Sequence, residues 1–299
     1  EYLNLMSSLN RQQMEFVSDT AHHLKTSIQP IYRFLSGGAG TGKSHVLKAI
    51  RESMERYYRS KSGTNFTLHF TMTLAPTGKA AFLVGGATIH STLHVPANQS
   101  PEYRRLDHES LNTLRNQIGH IKLWLIDEIS MVGHRLFSFV DQRLQEVNNT
   151  NQAFGGASII AFGDFFQLAP VMDGFIFSDF NQTISQVENY NVLAPNLWRE
   201  HFTMFELTQI MCQQECLPFA ELLNMLREGS HTEHDIHVLL SRVITPDMCN
   251  YPSSVQHLFR TNSQVDSYNV QVYNTCTQEK VIIHSVDSVV GGVSDDMSQ

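Results

Sequence analysis

Residues 34 to 50 read FLSGGAGTGKSHVLKAI, and Gly37, Gly42, Lys43 and Ser44 stand at the spacing of a loop that can hold phosphate. Glycines at 37, 38, 40 and 42 admit backbone angles closed to other residues. Successive N–H groups can therefore turn inward around anionic oxygens at the start of a helix. Gly38, Gly40, Thr41 and Gly42 would line such a cradle, Lys43 would lie against β- and γ-phosphates, and the Ser44 hydroxyl would ligate Mg²⁺. A glycine-rich turn before an ordinary helix is the competing reading of the same letters.

Three further groups could work on the same ligand. Asp127 and Glu128 close the apolar run Ile121-Lys122-Leu123-Trp124-Leu125-Ile126. Asp127 could hold Mg²⁺ and Glu128 could take a proton from an attacking water, unless the pair is a capping acidic turn. Gln167, in the string Gly163-Asp164-Phe165-Phe166-Gln167-Leu168-Ala169-Pro170, could touch a γ-phosphate or its water and report whether the triphosphate is intact. Asp164 could join that network or merely cap the turn. Gln13, in Leu9-Asn10-Arg11-Gln12-Gln13, could read an adenine edge with its two-faced amide, or be a solvated residue at a helix start.

These groups need elements to place them. Ile31 to Leu35 is expected as a strand and Lys43 to about Tyr58 as a helix. Phe66 to Ala75 is expected as a second strand, followed by helix at 104–119, strand at 121–128, a helix with buried stripe Val132 to Val147, and strand at 157–162. Farther on, Phe219, Leu222, Leu223 and Leu226 predict an amphipathic helix closed by Gly229, with Arg227 in its last turn. Residues 245–256 resemble a linker, and Leu258 to Asn262 and Lys280 to His284 are expected as strands. A parallel α/β sheet presents its ligands at the carboxyl ends of its strands, so the loops 75–81 and 85–91 would share an edge with the phosphate loop. Pro76, Thr77, Gly78, Thr88 and His90 there suit sugar and phosphate contacts; a helix cap at Thr77 and a surface loop at 85–91 is the plainer alternative.

Whole-chain numbers bound the answer. At 299 residues and 41% apolar, the chain can bury one full α/β domain and part of another, and no apolar run nears the roughly 18 residues of a membrane span. A soluble protein without a visible signal peptide is expected. Four cysteines are sparse for this length and favour a reducing compartment; Cys212 and Cys216, four apart, read as unligated thiols. A net charge of −8 does not suggest tight non-specific DNA affinity, although single-strand grooves can be local.

Taken together, the strings resemble the Pif-type (petite integration frequency) DNA helicases, superfamily-one motors that include helicase regions of rolling-circle Helitron transposons. The resemblance runs from about Leu9 to Asn269. Leu9 to Gln13 is similar to the family's adenine-reading segment and Phe34 to Ser44 to its first motif. Ala75 to Ala81 and Gly85 to Ser91 resemble its paired single-strand-DNA segments, Asp127-Glu128-Ile129-Ser130-Met131 its hydrolysis motif, and Gly163 to Val171 its most distinctive string. Phe219 to Gly229, then Asp235 and Arg242, continue the pattern.

This resemblance implies an α/β fold, a RecA-like P-loop NTPase domain with a mostly parallel sheet and an adenine-reading helix at 1–205. A connecting helical segment would follow at 206–256 and the start of an incomplete second RecA-like domain at 257–299. It implies ATP and Mg²⁺ as cofactors, single-stranded DNA and no membrane as partners, 5′-to-3′ translocation with unwinding, a nuclear address, and roles in repair, recombination and telomere maintenance. Lys43, Asp127, Glu128 and Gln167 would be catalytic. Gln13, Gly38, Gly40, Thr41, Gly42, Lys43 and Ser44 would hold the nucleotide, Ser44 and Asp127 the metal, and Pro76, Thr77, Gly78, Thr88 and His90 the DNA. Two departures stand out. Cys212 replaces an arginine that in the family neutralises charge on the transferring phosphoryl, a contribution of about 10³ or more in rate. The remaining motifs of the second motor domain are not found, so a fragment, a decayed copy or a chain completed by a partner is expected. An ATP-binding remnant or scaffold with little hydrolysis is the alternative, and a small-molecule phosphotransferase is disfavoured by the 163–171 string.

Overall fold

The computed structural model describes residues 2–61, 68–96, 103–178, 196–211, 217–244, 256–278 and 281. Cys212, Cys216, Cys249, residues 245–255 of the expected linker, and all but Val281 of the expected 280–284 strand lie outside the described residues. The chain divides into two compact units, Glu1–His237 and Val238–Gln299.

In chain order the elements are α1 (Tyr2–Ser7), α2 (Arg11–Thr26), β1 (Tyr32–Gly37), α3 (Lys43–Arg59), β2 (Thr71–Ala75), α4 (Gly78–Val84), β3 (Ala87–Thr88) and α5 (Ile89–Thr92). They continue as α6 (His108–Ile118), β4 (Leu123–Ile126), α7 (His134–Asn148), β5 (Ser158–Gly163), α8 (Leu197–His201), β6 (Thr203–Leu207), α9 (Leu217–Glu228) and α10 (Glu233–Leu240), with 3-10 turns at Ile129–Met131 and Ala153–Gly156. The strands form one six-stranded parallel sheet in the order β3-β2-β4-β5-β1-β6.

Alternation along the central strands builds two cores, one on each face of the sheet. Leu35, Leu123, Leu125, Ile160 and Phe162 pack with Phe16 and Val17 of α2 and Val46, Leu47 and Ile50 of α3. Their neighbours Phe34, Trp124, Ile126, Ile159 and Ala161 pack instead with Leu136, Phe137, Val140 and Leu144 of α7 and Leu114 of α6. Each such fully buried large side chain contributes about 1.5–3 kcal/mol. The fold is therefore α/β with a mostly parallel sheet clad by helices on both faces, as the sequence predicts.

Several boundaries differ from expectation. The second strand is confined to Thr71–Ala75 among the described residues, and the helix expected at 104–119 begins only at His108, where Asp107 caps it through Ser110. The expected surface loop at 85–91 contains β3 and α5, because Ala87 and Thr88 pair with Leu74 and Ala75. β6 is an edge strand with only Leu207 buried, so it carries no apolar run to announce it. In the second unit Leu258–Asn262 is not a strand. Thr261 and Gln264 make a capping box that starts α11 (Asn262–Thr275), and Tyr268 packs on His257 and Phe259.

One buried ion pair seats the segment carrying Thr88 and His90. Arg143 of α7, only 1% exposed, donates from Nε to the Leu93 carbonyl at 3.0 Å and from Nη1 to Glu146 Oε2 at 2.7 Å. Its guanidinium also covers the rings of Phe139 and Tyr103. Arg143→Met is expected to lower the unfolding free energy by about 3–5 kcal/mol, since it removes the only cation paired with the Glu146 carboxylate among the described residues and leaves it the Tyr103 hydroxyl and the Leu106 amide. Urea denaturation checks this; a loss below about 1 kcal/mol, the range of a surface pair, would rule it out.

Candidate functional site

Strand register decides which tips meet. Ser36 of β1 lies opposite Gly163 of β5, and Ala161 of β5 opposite Ile126 of β4, so the phosphate loop, Asp164 and Asp127 leave the sheet at adjacent strand ends. The loop between β1 and α3 turns through left-handed residues Gly40 and Gly42, with φ of 77° and 84°. It is closely hemmed in. A Cβ on Gly37 would lie 2.7 Å from Thr41 Oγ1 and 2.9 Å from the Leu207 carbonyl, one on Gly38 3.2 Å from Asn224 Oδ1, and one on Gly42 would collide with Gln13 Nε2. Lys43 Nζ donates to the Gly37 and Gly38 carbonyls at 2.7 and 3.1 Å, and Thr41 Oγ1 donates to Gly38 O at 2.9 Å. Ser44, in the first turn of α3, is exposed.

The charges around Lys43 come from three elements. Burial lowers the lysine's pKa, while Asp164, Glu128 and Asp127 oppose that and Arg227 adds to it. Asp127, 6% exposed, is pushed up to about 6, chiefly by burial, with the Glu128 charge adding to it and the Glu128 amide and Lys43 working against it. Glu128 itself takes a left-handed backbone, φ 52° and ψ 45°, which a glutamate adopts at a cost on the order of 1 kcal/mol.

Asp164, fully buried, organises the third tip. Its carboxylate accepts the Phe166 amide at 3.1 Å and Gln167 Nε2 at 3.3 Å, and its carbonyl accepts the Gln167 amide at 2.9 Å. Arg227 of α9 clamps it with both prongs, Nε to Oδ2 at 2.6 Å and Nη2 to Oδ1 at 2.8 Å, while covering the Phe166 ring. Burial would raise the Asp164 pKa, but the Arg227 hydrogen bonds, the Phe166 amide and the charges of Arg227 and Lys43 outweigh it and hold the carboxyl below its ordinary value. The Asp164–Arg227 pair was not legible in the sequence, because 63 residues separate its members. The sequence alone marks Arg227 only as a cation in the last turn of a helix.

Gln13 is 2% exposed, which overturns the solvated reading. Its Oε1 accepts the Asn10 amide at 3.0 Å, closing a capping box with Asn10, and its Nε2 donates to the Thr41 carbonyl at 2.9 Å. Gln12, to which the sequence alone assigns no role, ties α2 to Thr208 beyond β6 at 2.9 Å. Thr77 and Thr88 cap α4 and α5 by accepting from the Ala80 and Ser91 amides, both at 3.2 Å, so the plainer reading of a helix cap at Thr77 holds. Ala75 pairs with Thr88, which brings both loops to the sheet edge that carries the nucleotide candidates. Pro76 is half-buried, Gly78 is exposed, and His90 is half-buried with its pKa lowered by burial.

The arrangement fits a magnesium triphosphate. The glycine loop admits no Cβ at its tightest points, a partly desolvated ammonium sits at its centre, and Ser44 and Asp127 offer hard oxygen donors. Among the described residues no group of three or more His, Cys, Asp or Glu could hold a metal ion, and Mg²⁺ ordinarily takes only one or two protein carboxylates beside phosphate. No helix of the described residues is long and apolar enough to cross a membrane.

Burial of Asp127 has a measurable consequence. Its folded pKa of about 6 exceeds the ordinary 3.8, so the stability contributed by its protonation is fully present below about pH 3.8 and is lost as pH rises through about 6. Asp127→Asn should therefore leave stability unchanged at the acid end and raise it by on the order of 1–3 kcal/mol near pH 7. Thermal unfolding of the nucleotide-free protein across this range is the check; parallel curves for the two proteins would refute the assignment.

The chain is 28% identical over 271 residues to the ATP-dependent DNA helicase PIF1 of Candida albicans, covering 89% of this chain and 28% of that protein. It is 26% identical to the protein of the same name from Emericella nidulans, covering 93% of this chain and 37% of that one. The chain thus spans about a third of the length of these curated relatives. The solved Pif1 helicase from Bacteroides in complex with ADP-AlF3 and ssDNA superposes with a TM-score of 0.65 at 26% identity, over 91% of this chain and 58% of that one. The crystal structure of the Candida albicans Pif1 helicase gives 0.65 at 25%, over 94% and 58%. A family model for PIF1-like helicases matches residues 8–236, a span that takes in every tip of the site and well over half of the chain, and on that match the chain belongs to the PIF1-like helicase family.

Proposed function

We propose that this chain carries the first motor domain of an ATP-dependent DNA helicase, coupling ATP hydrolysis to 5′-to-3′ movement along single-stranded DNA. The observation that supports it most directly is the convergence of Lys43, the Asp127-Glu128 pair and the Asp164-Gln167 turn at adjacent strand ends. Lys43 and the loop amides bind the β- and γ-phosphates. Gln13 retains one amide hydrogen and one lone pair beyond its two protein bonds, enough to pair with an adenine edge. Ser44 and Asp127 hold Mg²⁺, which supplies charge neutralisation on the phosphate oxygens. Glu128 orients the attacking water and accepts its proton as the water oxygen bonds to the γ-phosphorus and the bridging oxygen leaves on ADP. Gln167 reports whether the γ-phosphate is there.

Pro76, Thr77, Gly78, Thr88 and His90 form the DNA-contacting edge. Thr77 uses its oxygen as a cap acceptor, which leaves its hydroxyl proton for a phosphate oxygen. With a net charge of −8, this contact depends on local hydrogen bonds more than on long-range attraction. Residues 206–256 would connect to a second RecA-like domain beginning at 257–299. A nuclear address and work in repair, recombination and telomere maintenance follow from the family alone. Cys212 favours a second reading, in which the chain binds ATP with little turnover or depends on a missing motor half or partner chain.

Glu128→Gln is expected to retain ATP binding while lowering phosphate release by about 10²–10⁴-fold. Phosphate release with and without a single-stranded oligonucleotide checks both readings. Equal turnover in the variant would remove Glu128 from its role, and binding without release in the unaltered chain, even after Cys212→Arg, would favour the remnant. Turnover indifferent to the oligonucleotide would argue against a DNA motor.

A further inference from the structure

Asp164 presents a problem that the nucleotide reading does not by itself answer. A fully buried carboxylate accepts a hydrogen bond from Gln167, which that reading assigns to the γ-phosphate, while Lys43 turns its ammonium onto the Gly37 and Gly38 carbonyls. Left to itself, such a carboxylate would hold Gln167 away from any phosphate, because an unpaired buried charge seeks the nearest donors.

Arg227 removes that competition. It meets Asp164 with a planar two-pronged contact at 2.6 and 2.8 Å, and it is held in place by the Phe166 ring 4.6 Å below it and by Glu228 at 3.2 Å. Oδ2 is shared unequally: the Arg227 bond is 2.6 Å and the Gln167 bond 3.3 Å. Gln167 can therefore let go without leaving the carboxylate unpaired.

We propose that Arg227 is a positioning residue that neutralises Asp164 and so leaves Gln167 able to turn to the nucleotide. α9 thereby becomes part of the phosphate site, consistent with Asn224, one turn earlier, standing against Gly38. The inference rests on the nucleotide reading of the site and adds that α9 controls how well the phosphates are held.

The test uses the full 299-residue chain and a fluorescent ATP analogue with Mg²⁺. Arg227→Met should weaken analogue binding roughly tenfold or more. Adding Asp164→Asn, which removes the competing charge while keeping the shape, should restore binding to within about threefold of the unaltered chain. A role confined to holding α9 in place predicts the reverse, since the second substitution deletes still more hydrogen bonds. Should Arg227→Met alone fail to fold by circular dichroism, the double variant carries the test, because it no longer buries an unpaired charge. Undiminished binding in the single variant, or weak binding in a folded double variant, overturns the inference. Failure of the unaltered chain to bind the analogue is a separate result and sinks the nucleotide reading along with it.

Discussion

An ammonium group loses most of its hydration when it is packed into a protein, and it stays charged only if anions are placed around it. Lys43 meets that condition through carboxylates delivered by two different strand ends, Asp127 and Glu128 after β4 and Asp164 after β5, the last sharing its charge with Arg227. The central part of the fold can be understood from this requirement. The sheet must be parallel so that β1, β4 and β5 all point their carboxyl ends the same way, and it must be in register so that the tips arrive at one level. Residues alternating between two cores then lock each strand against sliding, since a slip of one position would turn Leu125 and Ile160 toward the wrong helices.

The same electrostatic arrangement has a cost. Asp127 is held where ionisation is unfavourable, and Glu128 keeps a backbone conformation that few glutamates adopt. Neither feature helps the chain to fold. Both are tolerated because the surrounding core is extensive. The helices contribute more than cladding: α2 holds the glycine loop through Gln13, and α9 fixes Asp164 through Arg227.

What could be seen in the linear sequence follows from how local each signal is. An apolar strand running into a polar tip is contiguous, so β1 with its glycine loop, Asp127-Glu128 after β4 and Gln167 after β5 are legible in the linear sequence. β3 and β6 did not, because a two-residue strand and an exposed edge strand exist only by virtue of a neighbour. Leu258 to Asn262 looked like a strand because Leu258 and Phe259 are apolar, yet Thr261 and Gln264 form a helix-starting box that outweighs them. Ion pairs were the least accessible of all. Nothing in the spacing of Asp164 and Arg227 hints that they touch, and only the folded sheet brings α9 across to the loop.

Gln13 belongs at once to the first turn of α2 and to the wall of the glycine loop. Losing this one side chain would release the Thr41 carbonyl and fray the start of α2 in the same stroke. A change at either partner would therefore be felt in the glycine loop before it was felt in the core.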